Sequence, residues 1–196
     1  FGPLTGGAIR YRFYGRLGFE PADVARIVAF ITIAFGLGLA GITALGLVFD
    51  PVDVAAPVGL PPAILALIGG GVLVGLAALL GWSAFGSGRI GWRGASVALP
   101  RPRIMLAQFG GTFIDVAASA AVLWVLLPQT ELGFPAFIAV YAVAIGLGVA
   151  SHVPAGLGVF EAVIVAVIGR TAPVDQVLSA LFLYRVIYYC LPLVVA

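Results

Sequence analysis

The chain has no lysine, one histidine, one cysteine, and charged side chains at only 9% of its 196 positions, against roughly 25% in an ordinary soluble domain. With 62% hydrophobic residues and a mean hydropathy of +1.18, this scarcity excludes a water-soluble globule. The lone Cys190 excludes an internal disulfide. His152 has no second histidine and no nearby cysteine, so neither a metal site nor a cofactor is expected, and a capping or interfacial role is the simpler one. Ten arginines against eight acids give a formal charge of +2, too little for a broad nucleic-acid surface. The HExxH, GxSxG and P-loop patterns are absent. Ser151 and His152 are adjacent, so they point in different directions and make no dyad. Covalent chemistry by this segment is not expected.

What is abundant is glycine, 27 residues, and proline, 13, interrupting long apolar runs as they do in transmembrane helices. Ile27 to Phe49 and Ala63 to Phe85 are uncharged and predict two spans of a hydrocarbon core about 30 Å thick. Ile104 to Leu127 and Gln176 to Ala196 predict two more, each with one central charge, Asp115 and Arg185. Phe134 to Ala150 predicts a shorter span ending in the broken stretch 151–158, beyond which Val159 to Gly169 has length for half a bilayer. The opening stretch, with Pro3, Gly6 and Gly7 before a short helix to Leu17, has the same character. The expected fold is an all-α integral membrane protein of about five transmembrane helices plus two re-entrant or broken half-helices. Residues 1–196 form a single transmembrane domain. The chain begins at Phe1 and stops at Ala196 inside an apolar run, and reads as a fragment truncated at both ends.

Arginine alternates along the chain until the last loop: four before the first span, none in Asp50 to Pro62, four in Gly86 to Arg103, none in Pro128 to Gly133, and one in Ser151 to Asp175. The positive-inside rule therefore makes the opening segment and the Arg89/Arg93/Arg101/Arg103 loop cytoplasmic. Gly71 and Gly75 offer a close-packing face, with chance in a glycine-rich chain an equal alternative. Pro3, Gly7 and Arg10 share their spacing with Pro154, Gly158 and Glu161, the last charge being inverted. Paired interrupted segments of this kind mark transporter substrate sites, since broken helices expose backbone dipoles at membrane depth, with chance agreement at three positions an equal alternative.

A charge at mid-span costs roughly 2.5 to 3.5 kcal/mol, so Asp115 and Arg185 need partners. They either pair with each other or line a polar path. Glu161 suits the positive end of the half-helix it opens, or faces a cavity. Arg10, Arg12 and Arg16 read as snorkelling anchors, Arg10 also as the counterpart of Glu161. Tyr184 and Tyr188 lie four residues apart on the face beside Arg185, and either bond across helices or join the guanidinium in holding a phosphate.

The stretch Ser151-His152-Val153-Pro154-Ala155-Gly156-Leu157-Gly158-Val159-Phe160-Glu161, followed by Leu183-Tyr184-Arg185-Val186-Ile187-Tyr188-Tyr189 and Pro192, resembles the membrane domain of bacterial lysyl-phosphatidylglycerol synthase/flippase proteins. That family, the multiple peptide resistance factors, includes related stand-alone membrane proteins. The opening Gly6-Gly7-Ala8-Ile9-Arg10-Tyr11-Arg12-Phe13-Tyr14 fits too. The resemblance departs at Ala155-Gly156, where the family often has Gly-Gly, and at His152, where it has aromatic or aliphatic residues.

The resemblance implies a multi-pass flippase-type domain of the bacterial inner membrane. Such a domain moves aminoacylated phosphatidylglycerol, lysyl or alanyl, to the outer leaflet and protects against cationic antimicrobial peptides. It implies a phospholipid substrate, a C-terminal soluble synthase domain elsewhere in the full protein, and functional roles for Asp115, Glu161 and Arg185. The alternative is a membrane scaffold or acceptor-lipid part of a phosphatidylglycerol aminoacyltransferase. A homo-oligomer stays open. Arg185, helped by Arg10, Tyr184 and Tyr188, is assigned to phosphate, and Asp115 with Glu161 to the amine.

Overall fold

The computed structural model describes residues 20–52, 59–85, 89–92, 95–98, 100–130 and 132–190. The predicted first half-helix, with Pro3, Gly6, Gly7 and Arg10, lies outside them, and with it the comparison of the two repeats. Three helices are long and apolar enough to cross a membrane: α1 (Pro21–Phe49), α2 (Pro62–Phe85) and α3 (Pro102–Leu126). Shorter apolar helices follow, α4 (Phe134–Ala150) and, after a 3₁₀ turn at Pro154–Gly156, α5 (Val159–Ile168). The last, α6 (Val174–Arg185), runs on into a π-helical turn, Val186–Cys190. This is an all-α membrane protein. Among the described residues the one departure is a small antiparallel hairpin, β1 (Arg89–Trp92) with β2 (Ala95–Ala98), inside the arginine-rich loop.

Proline sets where these helices start. Pro21, Pro62 and Pro102 are the first residues of α1, α2 and α3, and Pro135 the second of α4, positions where a missing N–H costs nothing and φ is already helical.

The core is built around α4, eight of whose 17 residues are buried, Phe137 and Tyr141 among them. Small residues bring the backbones close. A Cβ on Gly46 of α1 would strike Ala139 of α4, and one on Gly38 would come within 2.6 Å of Thr112 in α3. A Cβ on Gly69 of α2 would come within 2.8 Å of the Ala44 carbonyl of α1. Apolar attraction gives helices no reason to associate in lipid, so close backbone packing of this kind replaces it. By contrast α2 is mostly exposed, with Leu65, Gly69 and Leu76 buried. Its outward leucines and isoleucines suit hydrocarbon and would be a liability in water.

After α4 the chain turns back on itself. Gly156 of the 3₁₀ turn sits against Gly148, near enough that a Cβ there would lie 3.1 Å from the Gly148 Cα. From this turn α5 runs back to the other end of α4, where Thr171 meets Thr130 at 3.4 Å, and α6 then descends again. The predicted broken helix and half-helix are thus present, and the half-helix forms a hairpin with α6. Arg185 lies about 17 Å along α6 from Val174.

Candidate functional site

The break between α4 and α5 is held by unusual backbone and local hydrogen bonds. His152, Ala155, Gly156 and Gly158 all have positive φ, at 57°, 55°, 60° and 83°. This conformation is easy for glycine and costs an L-residue roughly 1–2 kcal/mol. Ser151 Oγ donates to the Gly148 carbonyl at 2.7 Å, and His152 Nδ1 lies 2.8 Å from the Ala150 carbonyl. The histidine therefore caps the C-terminus of α4, in line with its expected role. At the other side of the break, the Gly158 N–H donates to Glu161 Oε2 at 2.8 Å. This is half of a capping box, glycine having no side chain to reciprocate.

The second oxygen of Glu161 receives the Nε–H of Arg185, and Nη1 of the same guanidinium donates to the Ala155 carbonyl at 3.3 Å. One arginine on α6 thus ties down both the 3₁₀ turn and the start of α5. The Asp115–Arg185 pair open to sequence reading does not form: the partner of Arg185 is Glu161. Two hydroxyl contacts surround this pair. Tyr184 and Tyr141 share a hydrogen bond in the core, and Ser119 Oγ donates to Tyr188 Oη at 3.0 Å. Interhelical bonding is therefore what Tyr184 and Tyr188 do here. Tyr184 also stacks on Phe160 and on Tyr188, with ring centroids 6.0 and 5.3 Å apart.

These groups converge on a cavity of about 430 Å³, walled by α1 residues including Thr32 and Phe35, by Asp115 and Ser119 of α3, by Tyr141 of α4, and by the break and α6. Asp115, Tyr184, Arg185, Tyr188 and Gly156 all line it; Glu161, bonded to Arg185, stands behind it. Asp115 is exposed and makes no hydrogen bond or ion pair among the described residues. Sequence reading missed Tyr141 and Ser119. For Ser119 a signal existed, since it follows Asp115 by four residues on the same helical face. Tyr141 lies in an otherwise apolar run and carried none.

Such an arrangement can hold separated charges. The guanidinium fork suits a phosphate, the free carboxylate a cation, and the broken backbone offers further dipoles.

No protein-family model matches the chain. It is 36% identical over 194 residues to the uncharacterized protein slr0712 of Synechocystis sp., covering 97% of this chain and 59% of that protein. It is 32% identical over 201 residues to the inner membrane protein YbhN of Escherichia coli, covering 98% and 61%. A shorter match, 31% over 86 residues, covers 42% of this chain and 10% of a phosphatidylglycerol lysyltransferase of Staphylococcus aureus. The chain thus spans about three-fifths of the length of the relatives it matches end to end. With that similarity and its long apolar helices, the chain is a membrane protein whose relatives are YbhN-like inner membrane proteins.

Proposed function

We propose that this chain is the translocating unit of a multi-pass protein of the bacterial inner membrane. It carries a charged phospholipid headgroup, of the aminoacylated phosphatidylglycerol type, from the inner to the outer leaflet. The observation that carries the reading is the convergence of Asp115, Arg185 and the helix break on one cavity, with Glu161 bound to Arg185. The partial match to a phosphatidylglycerol lysyltransferase supports the choice of lipid.

An aminoacylated headgroup has an anionic phosphate and a cationic amine, and exposing either to hydrocarbon costs many kcal/mol. The cavity lowers that cost by exchange. The phosphate replaces Glu161 on Arg185, and the released Glu161, with Asp115, takes the amine. Arg185 and Glu161 each keep an opposite neighbour throughout, while the acyl tails stay in lipid. Arg10 and the tyrosine hydroxyls assist at the phosphate.

The test is leaflet-resolved amine labelling of lysyl-phosphatidylglycerol in cells that make the lipid, with Asp115→Asn and Arg185→Gln introduced together. Outer-leaflet label is expected to fall to the level of cells lacking the protein while total aminoacyl lipid and protein level stay constant. Unchanged outer label would make the chain an anchor for a catalytic domain instead.

A further inference from the structure

A second cavity, of about 650 Å³, opens beside the first. It lies between Phe35 of α1 and a face of α3 that includes Arg103, Gln108, Thr112 and Asp115. Phe35 and Asp115 line both cavities, so this pair stands at the junction between them. We infer that the α1–α3 cleft is a lateral inlet for lipid headgroups, in which Arg103 holds the phosphodiester at the rim and Phe35 with Asp115 controls passage into the central cavity.

The polar residues of α3 carry the inference. Gln108, Thr112, Asp115 and Ser119 recur at steps of four, three and four, which places them along one stripe of the helix. Two of its members are used within the bundle, Thr112 buried against Gly38 of α1 and Ser119 bonded to Tyr188; Gln108 and Asp115 are exposed, and a mid-span charge such as Asp115 is costly unless it meets something polar. On α2, of similar length, the one hydroxyl is Ser83, at the end of the helix, where it donates to the Pro100 carbonyl. Arg103 stands nearer the start of α3, to the side of this stripe, and neither it nor the exposed Gln108 forms a hydrogen bond or ion pair among the described residues. A Cβ on Gly111, beside them, would meet nothing within 4 Å, so the cleft is open there.

The order of charges sets what can pass. The guanidinium at the rim matches a phosphodiester in its fork geometry. Asp115 lies twelve residues further along the helix, about 18 Å by helical rise, and repels an anion while attracting a cation. A headgroup whose amine lies distal to its phosphate satisfies both ends at once and enters amine first. Plain phosphatidylglycerol satisfies the rim alone, so it binds and does not advance.

Binding at the inlet is testable without transport. The full chain with Ala107→p-benzoylphenylalanine, at an exposed position lining the cleft, is placed in phosphatidylcholine vesicles with and without phosphatidylglycerol, irradiated, and its adducts weighed. The phosphatidylglycerol adduct is expected to dominate, to fall about tenfold with Arg103→Gln, the loss of one charge-assisted pairing, and to be largely kept by Arg103→Lys. Inorganic phosphate in excess is expected not to displace it. Equal labelling by phosphatidylcholine, an adduct within the chain itself, insensitivity to Arg103→Gln in a variant of unchanged melting temperature, or displacement by inorganic phosphate would each overturn the inlet. The inference rests on the translocation reading for its purpose alone. An Arg103-dependent adduct with no outward movement of aminoacyl lipid would keep the inlet and remove the transport; transport with no such adduct would do the reverse.

Discussion

Arg185 and Glu161 keep 19% and 21% of their side-chain surface open, between a surface ion pair, which contributes at most about 1 kcal/mol, and a buried one, where removing one partner costs about 3–5. Glu161→Gln alone should therefore destabilise the detergent-solubilised protein by about 1–3 kcal/mol. Adding Arg185→Met should cost less than the sum of the two single changes, because the guanidinium that has lost its carboxylate goes as well. A thermal or denaturant double-mutant cycle measures the coupling; strict additivity would show that the pair holds nothing. Ala155 gives a prediction of opposite sign. At φ 55° its methyl group is strained, so Ala155→Gly should raise stability by about 0.5–1 kcal/mol after its greater unfolded-state entropy is counted. Ala155→Val should lower it, as a β-branched residue fits this region worst.

Among the helices, glycine positions separate into those that hold neighbours and those that do not. Gly46→Val should push α1 off α4 and lower the melting temperature by several degrees. Gly36→Ala, with nothing within 4 Å of the added methyl, should leave it unchanged or slightly higher. Equal effects at both sites would mean that close packing is not what joins α1 to α4. Such contacts could not be read from the sequence, where Gly36, Gly38, Gly41 and Gly46 look alike in one apolar run. The long helices were legible because hydropathy and length decide them, and the break was legible because Pro154, Gly156 and Gly158 interrupt a run too short to cross twice. The partner of Arg185 was not. Two mid-span charges invite pairing with each other, and only the return of α5 beside α6 puts Glu161 closer. Nor did the arginine-rich loop reveal its hairpin, since four-residue strands are too short to show alternation.

For the molecule as a whole, the fold makes a claim about sidedness. The break and Arg103 belong to the end at which the positive-inside rule sets the cytoplasm, and Thr171, beside Thr130, belongs to the other. In a Cys190→Ser background, a cysteine at His152 should react with an impermeant thiol reagent in inside-out vesicles, and one at Thr171 in right-side-out vesicles. Both positions are exposed. Reaction of both from the same side would put the α5–α6 hairpin in the wrong place and remove the basis for a cavity at depth.

The ion pair also constrains how the protein is made. Glu161 leaves the ribosome 24 residues before Arg185, and α5, ten residues long, is too short to be threaded across the bilayer alone. Each charge offered singly to the insertion machinery is unfavourable by roughly 2.5 to 3.5 kcal/mol. Paired, they carry no net charge, so α5 and α6 are expected to enter as one late hairpin, and a chain ended after Gly169 should leave α5 at the membrane surface in a glycosylation-mapping assay.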